Sequence, residues 1–357
     1  MVEYLKETLI NSKKWIDSDT FTKGLVTCQT IPGAIVVNLA SYCGYYLKGL
    51  QGMLISFIGF LLPSFSLMLL FSYFYNTSQE LSIIKAVFKG LEVVVVAIVI
   101  NAALRFAKDR IKGNLKSIIL SIVSAGLLMY HVNPLFVIAL TAIIGMFGSS
   151  SFTYQIKTIN KKRPSKVEVL ILAILFCAFY ITVYLIGQDL LSLALTMTKI
   201  ALLSFGGVYT ALPLMYHEVV ETLKWMSNKT FMDGIALGQV TPGPILINAV
   251  FVGYLKGSFS GALVGAIAIF APGPLLISIM MHFISKVESS NYFKGATMGM
   301  ISAFAGLLIF IAIKFFIAVD WELLKVIIFV LSLMWLLIKN NVLVLAIVGA
   351  IISAIIF

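Results

Sequence analysis

Apolar runs of about 17 to 25 residues, long enough to cross a bilayer core as helices, follow one another along almost the whole chain. They fall at roughly 20–47, 49–75, 86–107, 115–131, 133–148, 167–187, 190–211, 230–255, 257–282, 294–318, 322–338 and 341–357, and predict twelve transmembrane segments. The polar stretches between them are short. The exception is 149–166, which carries Lys157, Lys161, Lys162, Arg163 and Lys166. This basic linker divides the chain into an N-terminal repeat at 1–148 and, after a connecting helix at 167–187, a C-terminal repeat at 188–357.

Composition supports this class. Apolar residues make up 60% of the 357 and charged residues only 11%, so an all-α polytopic membrane protein is expected rather than a soluble domain. The N-terminus, Met-Val-Glu-Tyr-Leu-Lys-Glu, lacks the apolar core of a cleavable signal. A net charge of +11 invites a nucleic-acid reading, but the Lys and Arg residues collect between apolar runs, as membrane topology requires, so no nucleic acid is expected. The 105–116 loop, the 149–166 linker and the 212–229 loop share the basic bias. The positive-inside rule therefore puts the linker in the cytoplasm. The three cysteines, Cys28, Cys43 and Cys177, form no CxxC pair, so neither a disulfide framework nor a metal site is expected.

Twenty-four residues occur twice. Residues 15–38 and 225–248 share nine identities at a shift of 210: Trp15/Trp225, Thr20/Thr230, Phe21/Phe231, Gly24/Gly234, Gln29/Gln239, Pro32/Pro242, Gly33/Gly243, Ile35/Ile245 and Asn38/Asn248. Further pairs are Gly44-Tyr45 with Gly253-Tyr254, Gly49 with Gly257, Pro63 with Pro272, and Phe88-Lys89-Gly90 with Phe293-Lys294-Gly295. The copies are the first and eighth predicted segments, an odd separation, so they should run in opposite directions as inverted-topology repeats. A helix ending Phe205-Gly206-Gly207 precedes the second copy, and its counterpart would fall before residue 1.

Each copy holds a Pro-Gly within an apolar run. Proline removes a backbone donor and clashes with the preceding turn, and glycine permits unusual dihedrals. Each segment should therefore split into half-helices of roughly 12 to 14 residues, too short to cross alone. The positive end of the half-helix after the break suits an anion. Candidate binding residues are Gln29, Thr30, Pro32, Gly33 and Asn38 in the first copy, and Gln239, Thr241, Pro242, Gly243, Pro244 and Asn248 in the second. Phe205, Gly206 and Gly207 join them, read either as a loosened helix end facing the ligand or as close-packing points between helices. Lys199, in the middle of its segment, is a costly intramembrane charge and the candidate cation. Glu92 is a candidate proton-coupling carboxylate, whereas His217-Glu218 reads as solvated loop.

These motifs resemble the chromate ion transporter family. The C-terminal repeat carries the family pattern in full: Phe205-Gly206-Gly207, Trp225, Phe231, Gln239-Val-Thr-Pro242-Gly243-Pro244, Asn248, Gly253-Tyr254, Gly257 and Pro272. The N-terminal repeat matches from Trp15 on, with Ala34 in place of the second proline. The resemblance implies a multi-pass plasma-membrane protein that exports chromate, driven by the proton-motive force, without a cofactor. Its partners would be the oxyanion and the lipid bilayer, and a homo-oligomer is compatible with the sequence. Alternatives are transport of another anion such as sulfate, or a truncated member that does not transport. Intramembrane catalysis is disfavoured, because the three histidines form no HExxH or close pair.

Overall fold

A computed structural model describes residues 1–78, 81–111, 114–147, 163–205, 210–339 and 341–357, with the side chains of 284–289 left aside. Gly206, Gly207 and nearly all of the basic linker lie outside the described residues. The described chain is helical throughout, without a β-strand. An apolar surface suited to lipid is plain in α7 (Lys166–Ile186), where Ile174, Ile181, Tyr184 and Leu185 are exposed.

Among the described residues four helices are long and apolar enough to cross a membrane, the first of them a long helix bent back on itself. Much of the rest is shorter than the hydropathy pattern suggests. The helices of the first repeat are α1 (Val2–Lys6), α2 (Ser18–Thr30), α3 (Ile35–Ser78), α4 (Ser82–Arg110), α5 (Leu115–Met129) and α6 (Pro134–Met146). After α7 and α8 (Gln188–Leu203), the same order returns as α9 (Ala211–Tyr216), α10 (Asn228–Val240), α11 (Asn248–Phe270), α12 (Pro272–Ser289), α13 (Asn291–Ala318), α14 (Leu323–Ile338) and α15 (Val342–Ile356). The segments expected at 115–131, 133–148, 322–338 and 341–357 are thus helices of 15, 13, 16 and 15 residues. At 1.5 Å per residue each is about 20–24 Å long, short of a core about 30 Å thick.

The half-helices before the Pro-Gly breaks have the expected length, 13 residues in both α2 and α10. Each begins on a side-chain cap: Asp17 accepts from the Thr20 N–H, and Ser227 accepts from the Thr230 N–H. The chain beyond each break does not continue onward, which corrects the reading of 20–47 and 230–255 as single crossings. On one continuous helix Gly24 and Tyr42 would lie about 27 Å apart, yet the Tyr42 ring packs directly on Gly24. Phe251 and Asn248 pack in the same way on Gly234. The chain folds back at each Pro-Gly, making a helical hairpin with the break at its tip.

A second reversal comes later in each repeat. Inside α3, Lys48 and Gly49 leave helical geometry, with Gly49 at φ 63° and ψ −148°. Inside α11, Gly257 and Ser258 do the same, with Ser258 at φ 51° and ψ −139°. The residue at positive φ is therefore Gly49 in one repeat and Ser258 in the other, so Gly49 corresponds to Ser258 and not to Gly257. Beyond each turn the helix returns so closely that Gly44 meets the Gly52 backbone and Gly253 meets the Gly261 backbone. A shift of 209 relates the two pairs.

The correspondence extends in both directions. Each Pro-Gly hairpin is preceded by a π-turn, Glu7–Ser12 or His217–Thr222, closed by a lysine at positive φ, Lys14 or Lys224. Downstream, the repeats exchange partners: α13 packs on α5 and α6 of the first repeat, and α4 packs on α14 and α15 of the second. The glycines matched by sequence sit at these crossings, Gly295 against Gly145 and Gly90 against Ser353. Small residues allow this approach, the usual device for helix association in lipid.

Helix α7 relates the two halves. Glu168 in its first turn accepts a hydrogen bond from the Tyr45 hydroxyl at 3.1 Å, beside the Lys48-Gly49 turn. Just past its other end, Asp189 pairs with Lys256 at 3.5 Å, beside the Gly257-Ser258 turn. The 21 residues between are about 31 Å of helix.

Candidate functional site

Each tip is held by the other repeat. At the first, the Gly33 N–H donates to the Ser204 carbonyl at the end of α8, 3.0 Å away, which places Phe205 next to this tip. Asn38, 1% exposed, turns its Nδ2 toward the Pro32 carbonyl at 3.4 Å and rests on Gly273, which follows Pro272 in α12. At the second tip, Ser64, which follows Pro63 in α3, donates to the Pro242 carbonyl at 2.5 Å. Ser64 and Gly273 are equivalent positions at a shift of 209. Each break thus faces the proline-bearing helix of the opposite repeat.

The two glycines are needed for different reasons. Gly33 sits at φ 101°, a conformation side chains rarely adopt. Gly243 has no positive φ, but a side chain there would strike Ser64. Pro244, where the first copy has Ala34, also changes the chain after the break. A 3-10 turn at Ile245–Ile247 precedes the helix, whereas the first copy enters α-helix directly at Ile35. Pro32 and Gly33 are buried, while Pro242 is exposed.

The polar candidates fall into two sets. Thr30 and Thr241 both bond back to their own helices, to the Thr27 carbonyl at 2.8 Å and the Leu237 carbonyl at 2.9 Å. Gln29 and Gln239 are half-buried near the tips. Asn248 is 1% exposed, and neither atom of its carboxamide has a hydrogen-bond partner among the described residues. Burying such groups unpaired costs on the order of 1–3 kcal/mol each.

Lys199 is not a free cation. Its Nζ lies 2.7 Å from Glu218 Oε1, and Glu218 is 7% exposed. This corrects the reading of His217-Glu218 as solvated loop: the π-turn folds these residues back against α8. Beside them, Glu221 bridges His217 at 3.1 Å and Lys314 at 3.2 Å, at the edge of a cavity of about 140 Å³ that also meets His131. Lys199 is five residues, about 7.5 Å of helix, before the Ser204 that holds the first tip. The charge is near the tip but already neutralised.

Sequence reasoning missed two further groups, Lys325 and Asp233. Glu92 is buried as expected of a functional carboxylate, but its partner is Lys325 at 3.8 Å, itself 3% exposed. Asp233, also buried, accepts a hydrogen bond from the Tyr75 hydroxyl at 2.9 Å. An ionisable residue inside a predicted span is the signal that could have found both.

The chain matches the family model described as chromate transporter over residues 1–146 and 191–355. It is 34% identical over 346 residues to an uncharacterized transporter of Methanocaldococcus jannaschii, covering 96% of this chain and 86% of the relative. It is 27% identical to a probable chromate transport protein of Synechococcus elongatus, over 86% and 78% of the two chains. A chromate transport protein of Cupriavidus metallidurans is 25% identical, over 91% and 80%. No solved structure matches the chain significantly. The paired Pro-Gly hairpins are therefore built on the sequence of a protein that belongs to the chromate transporter family.

Proposed function

We propose that the protein is a secondary transporter that exports chromate across the inner membrane, driven by the proton-motive force, with the anion passing between the two Pro-Gly tips. The observation that carries this reading is the reciprocal seating of the tips, Asn38 on Gly273 and Ser64 on Pro242. It sets two loosened helix ends each against the other repeat, the first buried and the second open to solvent at Pro242. A tetrahedral dianion calls for several N–H and hydroxyl donors and for a cation. Asn38, Asn248, Gln29 and Gln239 offer the first, and Lys199 offers the second when its pair with Glu218 opens toward the tip. Phe205, next to the first tip, would close the site from the α8 end.

The halves are read as inverted-topology repeats. In support, the equivalent turns at Lys48-Gly49 and Gly257-Ser258 lie beside opposite ends of α7, a membrane-length helix. The odd count of spans no longer supports this, because hairpins replace crossings. The basic linker puts the start of α7 in the cytoplasm, and rocking of one repeat against the other would alternate access to the tips.

Everted membrane vesicles from cells expressing the chain should accumulate chromate when energised, and an uncoupler should abolish the accumulation. Excess sulfate should compete if the site reads a tetrahedral dianion. Inserted protein without energy-dependent accumulation would overturn the assignment.

A further inference from the structure

We propose that Asp233 takes up a proton whenever an oxyanion dianion occupies the second tip, so that anion and proton bind together and leave as one net negative charge, which the membrane-potential part of the proton-motive force drives outward. This rests on the tips being the anion site and names how that site is tied to protons.

The geometry runs along the second hairpin. Asn248 lies six residues beyond Pro242, and its side-chain oxygen sits over Gly234, 2.7 Å from where a methyl group would be. Asp233 is the adjacent residue in α10. Both side chains are nearly sealed from solvent, at 1% and 4% exposed. Asn248 Oδ1 and Nδ2 and Asp233 Oδ1 have no hydrogen-bond partner among the described residues. These three unpaired buried atoms make a polar strip within the second hairpin, with Asp233 nine residues, about 13.5 Å of helix, before Pro242. At Asp233 the Tyr75 hydroxyl donates to Oδ2, and the Tyr75 ring stands edge-on to Phe88 and Phe251, each at 5.1 Å.

The charges around Asp233 favour this role for it over Glu92. Glu92 on α4 is matched by Lys325 on α14. Among the described residues no Lys or Arg lies within 4 Å of Asp233; the charges acting on it from further off are Lys229 on its own helix and Glu92. The equivalent position in the first repeat is Lys23, paired with Asp19, so the carboxyl belongs to the second tip alone. An ionised carboxylate and a dianion repel strongly in a low-dielectric interior. Arrival of the anion therefore favours the protonated carboxyl, which can also donate a hydrogen bond along the strip.

The test uses purified full-length protein, with sulfate and chromate as probes in separate titrations. Sulfate stays a dianion across the working range, so any proton uptake belongs to the protein. Wild-type binding should take up one proton per anion, and affinity should fall about tenfold per pH unit once Asp233 ionises in the free protein. Asp233→Asn should still bind, with no proton uptake and no such slope, and Asp233→Glu should restore both. A purely structural role for Asp233 would leave proton uptake in place. If Asp233→Asn binds with the wild-type proton count and slope, the proposal fails while the site reading stands. If neither anion binds the wild-type protein, the site reading fails and takes the proposal with it.

Discussion

Backbone meets backbone where the chain returns after its second reversal, at Gly44/Gly52 and Gly253/Gly261, and this yields a sharp prediction. A methyl group on Gly44 would lie 2.8 Å from the Gly52 carbonyl carbon, and one on Gly253 would lie 2.7 Å from the Gly261 carbonyl carbon. Carbon contacts are comfortable from about 3.5 Å, so the arms must part by about 0.7–0.8 Å there. The neighbour in each case is backbone, which cannot rotate away. Overpacking of this kind costs about 1–3 kcal/mol, and the helical preference of alanine over glycine returns about 0.5–1 kcal/mol. Gly44→Ala and Gly253→Ala should each lose roughly 1–2 kcal/mol on balance, a factor of about 5–30 in the folded ratio. Gly59→Ala and Gly126→Ala are the controls, since nothing lies within 4 Å of a methyl group at either site, and both should be neutral or stabilising. Unfolding of the purified variants in a graded denaturing-detergent series gives the comparison. If Gly44→Ala and Gly253→Ala match the controls, the arms are not in close contact and the second reversals at Lys48-Gly49 and Gly257-Ser258 are wrong.

Removing Lys199 alone should destabilise the protein by about 1–3 kcal/mol, because Glu218 is left buried without its partner while the Lys199 side chain itself is partly exposed. Lys199→Met with Glu218→Gln should recover most of that stability yet remain inactive in chromate flux; active, stable double-variant protein would remove Lys199 from the site. Single cysteines at Lys48 and Ser258, in a background lacking Cys28, Cys43 and Cys177, should react with an impermeant thiol reagent from opposite membrane faces. Reaction from the same face would refute the inverted arrangement.

Much of the fold was legible because each repeat carries its breaks in glycine and proline. Pro32-Gly33 and Pro242-Gly243 marked both breaks and set the 13-residue half-helices. The sense of the break was not legible, since a kink and a reversal both need a proline and a freed glycine. What decides it is the contact of Tyr42 with Gly24 and of Phe251 with Gly234, and such long-range packing leaves no local mark. The turn at Ser258 was hidden because sequence alignment favoured the neighbouring Gly257. The short α5–α6 and α14–α15 pairs looked like full spans because hydropathy counts apolar residues, including those of the turns between helices. Lys199 was found by its cost in the membrane, but Glu218 was not, because its π-turn lies among polar residues that look solvated.

The central claim is that the oxyanion meets the Pro-Gly tips. It is tested most directly by chromate protection of a cysteine placed at the exposed Pro242, in the same cysteine-free background. Chromate, and sulfate more weakly, should slow modification of Pro242→Cys in a saturable way and leave Ser258→Cys unaffected. Equal modification rates at both positions, with and without chromate, would place the anion elsewhere in the protein.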